Sequence, residues 1–169
     1  MYHTMIEQTF PAPRTDGAKP APGQGAQRLE RVFLARNGKH CLSLYQAERP
    51  TDNADLGITA DRGERHAYPV HALVHQLPPK PEGFSLVVAQ RNLANVPQLT
   101  IEMAKYLLSD PLGCGQRLRL IQIGAYLAQD SQRMVCVYFA PDVESVRKAN
   151  RESNVPWEHL WKGEVVQPD

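Results

Sequence analysis

Two tyrosines and one glutamate are the residues of this chain that are best suited to hold a ligand. Glu7 lies in an alternating segment near the N-terminus, and Tyr45 and Tyr138 lie 93 residues apart in two similar apolar segments. A carboxylate and two phenols that face one cavity could hold a hard cation or orient a small organic molecule. The alternative is that both tyrosines are core aromatics whose hydroxyls find partners inside the protein.

Histidines crowd one segment of the chain, where His66, His71 and His75 occur close together. On a strand, His71 and His75 share a face, but at ~3.3 Å per residue their Cα atoms lie ~13 Å apart, too far for one metal ion. A metal site there needs a ligand from another segment, and we take Glu7 and His71 as the predicted metal ligands. The alternative is that these histidines are ordinary surface residues of a strand.

A second polar group belongs to the C-terminal part of the chain. Arg91 and Asn92 follow a predicted strand, and Asn150, Arg151 and Asn154 belong to the last predicted helix. Forked guanidinium and amide donors of this kind bind anionic or amide-rich ligands, although the same residues also suit a solvated loop and helix surface. The predicted ligand-binding residues are therefore the two tyrosines and four members of this group: Tyr45, Tyr138, Arg91, Asn92, Asn150 and Asn154.

Motifs for nucleophilic, phosphate-binding or zinc-dependent chemistry do not occur in the sequence. The chain has no GxSxG, GxxxxGK[ST], GxGxxG or HExxH, which favours a protein that is not an enzyme without excluding one. The cysteines Cys41, Cys114 and Cys136 are unclustered and lack CxxC spacing. We therefore expect them to be small buried side chains in a reducing compartment.

Charge and hydropathy argue against two classes of partner. Lys and Arg number 19 against 18 Asp and Glu, for a net charge of +1, without the dense basic run that nucleic-acid binding requires. Apolar runs such as Phe84 to Ala89 fall far short of the ~20 residues that cross a bilayer. The N-terminus also lacks the basic start and apolar core of a signal peptide. We expect a cytoplasmic protein that binds neither nucleic acid nor membranes.

The pattern of apolar and polar residues predicts the elements that position these side chains. The chain opens with an alternating strand at 2–10, and Asn37-Gly38 is a strong signal for a type I′ hairpin turn. Residues 11–26, rich in proline and glycine, are predicted to form a surface loop. The other predicted elements are strands at 29–35, 39–47, 69–77, 84–89, 118–128, 133–140 and 157–166, a helix at 97–109 capped by Asn95, and a helix at 143–153 capped by Asp142.

The two halves of the chain resemble each other. Phe33-Leu34-Ala35 and Tyr126-Leu127-Ala128 correspond at a spacing of 93 residues, which also aligns Tyr45 with Tyr138. Such self-similarity predicts a duplicated unit, although two ordinary hairpins can look alike by chance. We expect an α+β protein of tandem ferredoxin-like (split β-α-β) repeats whose antiparallel sheets pack as a pseudo-dimer. Its predicted parts are a degenerate N-terminal half at 1–77, a linker at 78–83 and a C-terminal half at 84–169.

The C-terminal segment is similar to a known family. Ala140-Pro141-Asp142 and Glu144-Ser145-Val146 resemble the end of a small ferredoxin-like family of largely uncharacterised bacterial proteins, and Ile6 to Phe10 resembles its first strand. That family belongs to the dimeric α/β-barrel group, and one branch of it is nickel-binding. The resemblance implies this fold and suggests nickel as a cofactor. Some relatives carry histidines where this chain carries asparagines, which are poorer ligands for nickel: Asn92, Asn150 and Asn154.

Together these features favour a non-catalytic binding protein. It would hold a divalent metal ion, with nickel as the candidate, or a small ligand in a cavity between the two sheets. One alternative is a cofactor-independent oxygenase or isomerase of the dimeric α/β-barrel type, and another is an assembly module without a ligand. Homo-oligomer formation is compatible with each of them.

Overall fold

The computed structural model describes residues 2–10, 27–48, 64–96, 99–110 and 112–167. These residues form eight strands and three helices, which confirms an α+β composition, dominated by antiparallel sheet. None of the described helices has the length and apolar character needed to span a membrane. The elements are β1 (Tyr2–Thr9), β2 (Gln27–Ala35), β3 (His40–Ala47), β4 (Glu64–His75), β5 (Ser85–Asn92), α1 (Ile101–Leu108), α2 (Cys114–Arg117), β6 (Ile121–Ala128), β7 (Arg133–Ala140), α3 (Val143–Glu152) and β8 (His159–Val166).

The chain divides into two compact units. Unit 1 comprises Met1–Val70 together with Gly163–Asp169, and unit 2 comprises His71–Lys162. The predicted division of the sequence, with a linker at 78–83, stays a prediction. The predicted loop at 11–26 lies outside the described residues.

Unit 1 is an antiparallel sheet with the strand order β4-β1-β3-β2-β8, where β8 contributes its last residues. Apolar side chains fill both of its faces. Met5 and Leu44 are paired in register and fully buried on one face. Ile6 and Tyr45 form a buried cluster on the other. Because both faces are apolar, the sequences of these strands are nearly continuous hydrophobic runs and do not strictly alternate between apolar and polar residues.

Unit 2 is a second antiparallel sheet, in which β5, β7 and β6 lie side by side between β8 and β4. Helices α1 and α3 cover one face of this sheet. Ala104 of α1 packs with Ala89 and Cys136, and Val146 of α3 packs with Val87. This helix-covered face carries the polar residues described below.

The helix ends are set by capping side chains. Helix α3 begins where predicted, because Asp142 accepts a hydrogen bond from the backbone N–H of Ser145 at 2.7 Å. Helix α1 begins at Ile101, later than predicted, because Thr100 rather than Asn95 is its N-cap and accepts from the Met103 N–H at 3.2 Å. The predicted start at Pro97 lies outside the described residues.

The short helix α2 was not predicted. It occupies Cys114–Arg117 and delays the start of β6 to Ile121, although apolar residues already begin at Leu118. Asp110 initiates this turn, since its carboxylate accepts from the N–H groups of Gly115 and Gln116 at 3.0 and 2.9 Å. Such a local side-chain contact cannot be read from hydrophobic periodicity.

The hairpins β2–β3 and β6–β7 share a backbone irregularity at the spacing of 93 residues. The strand register shifts between Leu29 and Arg31 in β2, and between Gln122 and Gly124 in β6. Each shift places one extra residue in the strand, which is a β-bulge. A bulge reverses which side of the sheet the following residues face.

The turns of these two hairpins also correspond. Gly38 and Ser131 occupy the same turn position with φ values of 65° and 58°. The side chains of Asn37 and Asp130 accept from the backbone N–H two residues later, at 3.0 and 2.9 Å. The predicted type I′ turn at Asn37-Gly38 is therefore wrong, because Gly38 has positive φ but Asn37 does not, and the Gly38 N–H donates to the Ala35 carbonyl oxygen at 2.8 Å.

Candidate functional site

The helix-covered face of unit 2 brings together three residues that the sequence marked as ligand-binding. Arg91 is on β5, Tyr138 is on β7, and Asn150 is on the last turns of α3. Cross-strand register gives Tyr138, Cys136 and Met134 the same face as Val87, Ala89 and Arg91. Asn150 reaches this face because α3 packs on it through residues one turn away, such as Val146.

Arg91 is the centre of this group. It is 5% exposed and donates to Asn150 Oδ1 at 2.9 Å, to Tyr138 Oη at 3.5 Å and to the carbonyl oxygen of Pro156 at 2.8 Å. All of these acceptors are neutral, and within the described residues no carboxylate forms an ion pair with Arg91. A buried cation without a counter-ion is costly for a protein to keep.

The ionisation of these groups is fixed by their surroundings. Burial lowers the pKa of Arg91, but charge interactions and hydrogen bonds with Cys136 and Tyr138 together raise it more, so the guanidinium stays protonated. Burial raises the pKa of Tyr138 above its ordinary value; Cys136 adds to this rise and Arg91 opposes it. At neutral pH the site therefore holds one positive charge and a neutral phenol.

Two amide nitrogens belong to neighbours of Arg91 and Tyr138. Asn150 is 5% exposed, and its Nδ2 is buried without a hydrogen-bond partner in the described part of the chain. Its orientation is fixed because Oδ1 accepts from Arg91. Gln122 Nε2 is likewise buried and unpartnered among the described residues. Unpaired buried donors of this kind require an acceptor, or they cost stability.

Gln122 is a site residue that the sequence analysis missed. It lies opposite Tyr138 in the register of β6 and β7, close enough for side-chain contact. The bulge at Ile123 allows Gln122 to share a face with Ala125 and Leu127, since an unbroken strand would turn it to the opposite side. An isolated glycine within a strand, Gly124, is a weak signal for such a bulge.

These polar residues line a cavity of about 520 Å³, which is a usual size for a small-molecule site. Its described lining lies entirely in unit 2 and includes residues of α1, α2 and α3. Most of its wall is apolar, and the lining includes Leu93, Leu99, Leu108, Met134, Cys136 and Val155. A molecule bound here would have an apolar body with its polar end toward Arg91.

The remaining residues predicted in this region have other surroundings. Asn154 lines the cavity and is exposed. Its backbone has a positive φ of 51° just after the end of α3, which is a common conformation at the C-terminus of a helix. Asn92 is exposed, and its Oδ1 accepts from the Ala94 N–H at 3.0 Å in a local turn. Asn92 does not line this cavity.

The other predicted site residues do not lie at the cavity. Glu7 and Tyr45 belong to unit 1, where both are buried. Glu7 accepts a hydrogen bond from Tyr68 Oη at 2.5 Å. His71 is the first residue of unit 2 and is half-buried. Across the described residues, no three His, Cys, Asp or Glu side chains come close enough together to hold a metal ion.

Known proteins offer only distant likenesses to this chain. No family model matches it, and no curated protein does. Among solved structures, a candidate monooxygenase from Lactobacillus acidophilus is 6% identical, with 98% of this chain and 93% of that chain covered and a TM-score of 0.48. A candidate chlorite dismutase is 8% identical, with coverage of 99% and 96% and a TM-score of 0.46. A heme-binding protein from Thermus thermophilus is 14% identical, with coverage of 98% and 91% and a TM-score of 0.45. Likenesses this distant do not establish an activity for this chain.

The leading hypothesis from the sequence, a non-catalytic protein that holds a metal ion or a small ligand in a cavity between the two sheets, is wrong. The two predicted metal ligands, Glu7 and His71, belong to different units, and Glu7 accepts a hydrogen bond from Tyr68. The described residues also contain no cluster of metal ligands. The polar residues converge instead on an apolar cavity between the sheet and the helices of unit 2.

Proposed function

We propose that the protein is a cofactor-independent oxygenase or isomerase, and that the cavity of unit 2 binds its substrate. The substrate would be a small, mainly apolar organic molecule. The observation that carries the proposal is the buried Arg91, which forms no ion pair with a carboxylate among the described residues, in the lining of a mainly apolar cavity.

Both reaction types begin from the same kind of species. Without a cofactor, an oxygenase or an isomerase of this type reacts through a substrate anion, such as an enolate or a phenolate, whose negative charge the protein must stabilise. Fixed donors in a site of low dielectric do this well, because they need no reorganisation when the charge appears. Arg91 supplies the positive charge, and Tyr138 supplies a phenol that is neutral at neutral pH.

Duplication of the chain is a second part of this proposal. The strand order is β4-β1-β3-β2 in unit 1 and β8-β5-β7-β6 in unit 2. When the four strands of each unit are numbered along the chain, both orders become 4-1-3-2, which is the order of a ferredoxin-like sheet. Support also comes from a buried hydrogen bond that recurs: Tyr68 donates to Glu7 at 2.5 Å, and Trp161 donates to Gln90 at 2.6 Å. We infer two copies of one unit, of which unit 2 carries the substrate cavity.

The experiment is an activity screen with one informative variant and one matched control. Purified protein is incubated with acidic phenols and 1,3-diketones of two-ring size, and both dioxygen uptake and exchange of carbon-bound hydrogen with D2O are measured. We expect the wild-type protein to show one of these activities, and Arg91→Met to lose about 10²-fold to 10³-fold of it. Arg151→Met makes the same charge change at an exposed position of the same region and should keep the activity.

Two results would contradict the proposal. One is the absence of both activities for compounds that bind the wild-type protein. The other is an activity that Arg91→Met and Arg151→Met reduce equally, since this would place the reaction away from the cavity.

A further inference from the structure

We infer that the molecule bound in unit 2 is already an anion when it enters, and that the amides of Asn150 and Gln122 select for its planar oxygen group. This inference rests on the proposed function and narrows it to a substrate class. The class comprises small apolar acids whose charge lies on a carboxylate or on an acidic enol. It follows from three properties of the described residues that line the cavity.

The first property is the supply of hydrogen-bond donors. Asn150 Nδ2 and Gln122 Nε2 are buried without partners among the described residues, and both residues line the cavity. Arg91 contacts Asn150 and Tyr138, and Gln122 is the cross-strand neighbour of Tyr138, so these side chains form one row of donors. A ligand that satisfies this row must present several acceptor lone pairs, as a planar oxyanion does.

The second property is charge. The one carboxylate among the described lining residues is Asp110, and its two oxygens accept from the N–H groups of Gly115 and Gln116 at the start of α2. Asp110 therefore serves the turn that precedes β6 rather than Arg91. The positive charge of Arg91 has no counter-ion in the described part of the chain, and a bound anion would supply one.

The third property is the lack of an uncommitted carboxylate or imidazole that could act as a general base. The described lining of the cavity contains no His, Glu or Lys, its one carboxylate, Asp110, already accepts two backbone N–H bonds, and its phenol, Tyr138, keeps its proton at neutral pH. A neutral carbon acid or a weakly acidic phenol is therefore a poorer candidate for this cavity than a compound that enters as an anion. A compound that is ionised in water at neutral pH needs no such group.

The test compares anionic and neutral probes of the same shape. 2-Naphthoate is paired with 2-naphthamide, and 2-hydroxy-1,4-naphthoquinone, an acidic enol, is paired with its neutral 2-methoxy ether. Binding to the full chain is measured by calorimetry at neutral pH. We expect at least one anion to bind about tenfold or more tighter than its neutral partner, corresponding to one charged hydrogen bond made in a buried site.

Variants locate the selectivity. Asn150→Asp replaces an amide donor with a carboxylate beside Arg91. The new carboxylate forms an ion pair with Arg91, which preserves the packing, and we expect the preference for the anion to disappear. Gln132→Glu makes the same change from an amide to a carboxylate at an exposed position of unit 2 that does not line the cavity, and it should leave the preference intact. Gln122→Met removes the second amide at nearly constant volume and should reduce the preference about threefold to tenfold.

The outcomes separate the two proposals. If 2-naphthamide and the methoxy ether bind as tightly as the anions, the selection of anions is contradicted while the cavity remains a binding site. If no probe binds, the proposed substrate cavity fails as well. A preference that survives Asn150→Asp would also overturn the role given to this amide. Tighter binding of only the carboxylate or only the enol identifies the oxyanion that fits.

Discussion

Tyr138 illustrates how a single side chain acquires a role from its surroundings. Its ring borders the cavity and is half-buried, and its oxygen accepts a hydrogen bond from Arg91 at 3.5 Å. Burial raises the pKa of Tyr138, and Arg91 only partly opposes this rise. The hydroxyl therefore keeps its proton at neutral pH and can donate it in a hydrogen bond to a molecule in the cavity.

The raised pKa of Tyr138 predicts how stability depends on alkaline pH. In the unfolded chain this tyrosine ionises near its ordinary pKa of about 10, whereas the folded protein holds the proton to higher pH. Above about pH 10 the unfolded state binds fewer protons than the folded state, so the free energy of unfolding falls as pH rises. Tyr138→Phe removes this contribution, and urea denaturation between about pH 8 and pH 11 should show a shallower decline.

Tyr106→Phe is the control for this measurement. This substitution removes a phenol that is 64% exposed, and we expect the decline to stay as steep as in the wild-type protein. Equal pH dependence in Tyr138→Phe and the wild-type protein would contradict the raised pKa.

Residue types alone identified part of the site. Arg91, Tyr138 and Asn150 were predicted as ligand-binding from their polar chemistry at the ends of predicted elements, and the structure brings them into contact. Gln122 was missed because a bulge decides its direction, and bulges leave little trace in a single sequence. The prediction that Tyr45 and Tyr138 face one cavity depended on how two distant segments of the chain lie in space. The spacing of residues along the sequence does not reveal this.

Strands and turns repeat more faithfully than side chains in the two hairpins of this protein. The bulges at Leu29/Arg31 and Gln122/Gly124 and the positive φ values of Gly38 and Ser131 recur at the same spacing of 93 residues. A bulge fixes the register of the whole hairpin. We therefore expect each bulge to be important for folding.

Gly124 permits the close packing of the β6 bulge. A Cβ atom at this position would lie 2.9 Å from Cε2 of the buried Tyr126 ring. Gly124→Ala should lower the free energy of unfolding by about 1–3 kcal/mol, the usual cost of overpacking a core. Urea denaturation measures this change directly.

A double-mutant cycle tests the cause of this loss. In a Tyr126→Leu background the ring atom is absent, so Gly124→Ala should cost less than in the wild-type protein. An equal cost in both backgrounds would show that the alanine acts through the backbone rather than through the ring.

The N-cap of α3 links an element to the site, because this helix carries Asn150. Asp142 accepts from the backbone N–H of Ser145 at 2.7 Å, a bond that lowers the pKa of this carboxyl. Asp142→Ala should lower the free energy of unfolding by about 1 kcal/mol. Because the folded-state pKa is lowered, the carboxylate's stabilising effect is present above the pKa of the unfolded chain and is lost as pH falls through the folded-state value.

The same substitution should also weaken binding of 2-naphthoate, since it loosens the helix that holds Asn150. Asn92→Ala is the control, because it also removes a side-chain acceptor of a local backbone N–H in unit 2 but leaves α3 unchanged. If Asp142→Ala and Asn92→Ala have equal affinity for the probe, α3 does not position the site.

Elements with clear hydrophobic periodicity or a capping signal were predicted well, and those set by local polar contacts were not. Strand β7 at Arg133–Ala140 and the start of α3 match the sequence prediction. The start of α1 and the whole of α2 differ, because Thr100 and Asp110 make side-chain bonds to backbone N–H groups that compete with other possible caps. Asn95, Thr100 and Asp110 are all chemically capable of capping, so the tertiary structure decides between them.

The charge of the whole molecule determines how an anionic ligand reaches the cavity. The 19 basic and 18 acidic side chains nearly cancel, leaving a net charge of +1. Near the cavity, Arg117 pairs with Glu152, and Arg147 and Arg151 pair with Glu144. A molecule of this kind has a weak long-range field, so we expect attraction by Arg91 to act only at short distance.

This argument predicts that salt changes the association rate of 2-naphthoate very little. Raising the ionic strength from about 10 mM to about 0.1 M shortens the Debye length from about 30 Å to about 10 Å, which removes long-range steering where it exists. We expect stopped-flow association rates for 2-naphthoate and 2-naphthamide to change by less than about threefold over this range, with the difference in affinity expressed in the dissociation rate. A fall of about tenfold for the anion alone would contradict this view, because it would require an uneven distribution of charge that guides the ligand to Arg91 from a distance.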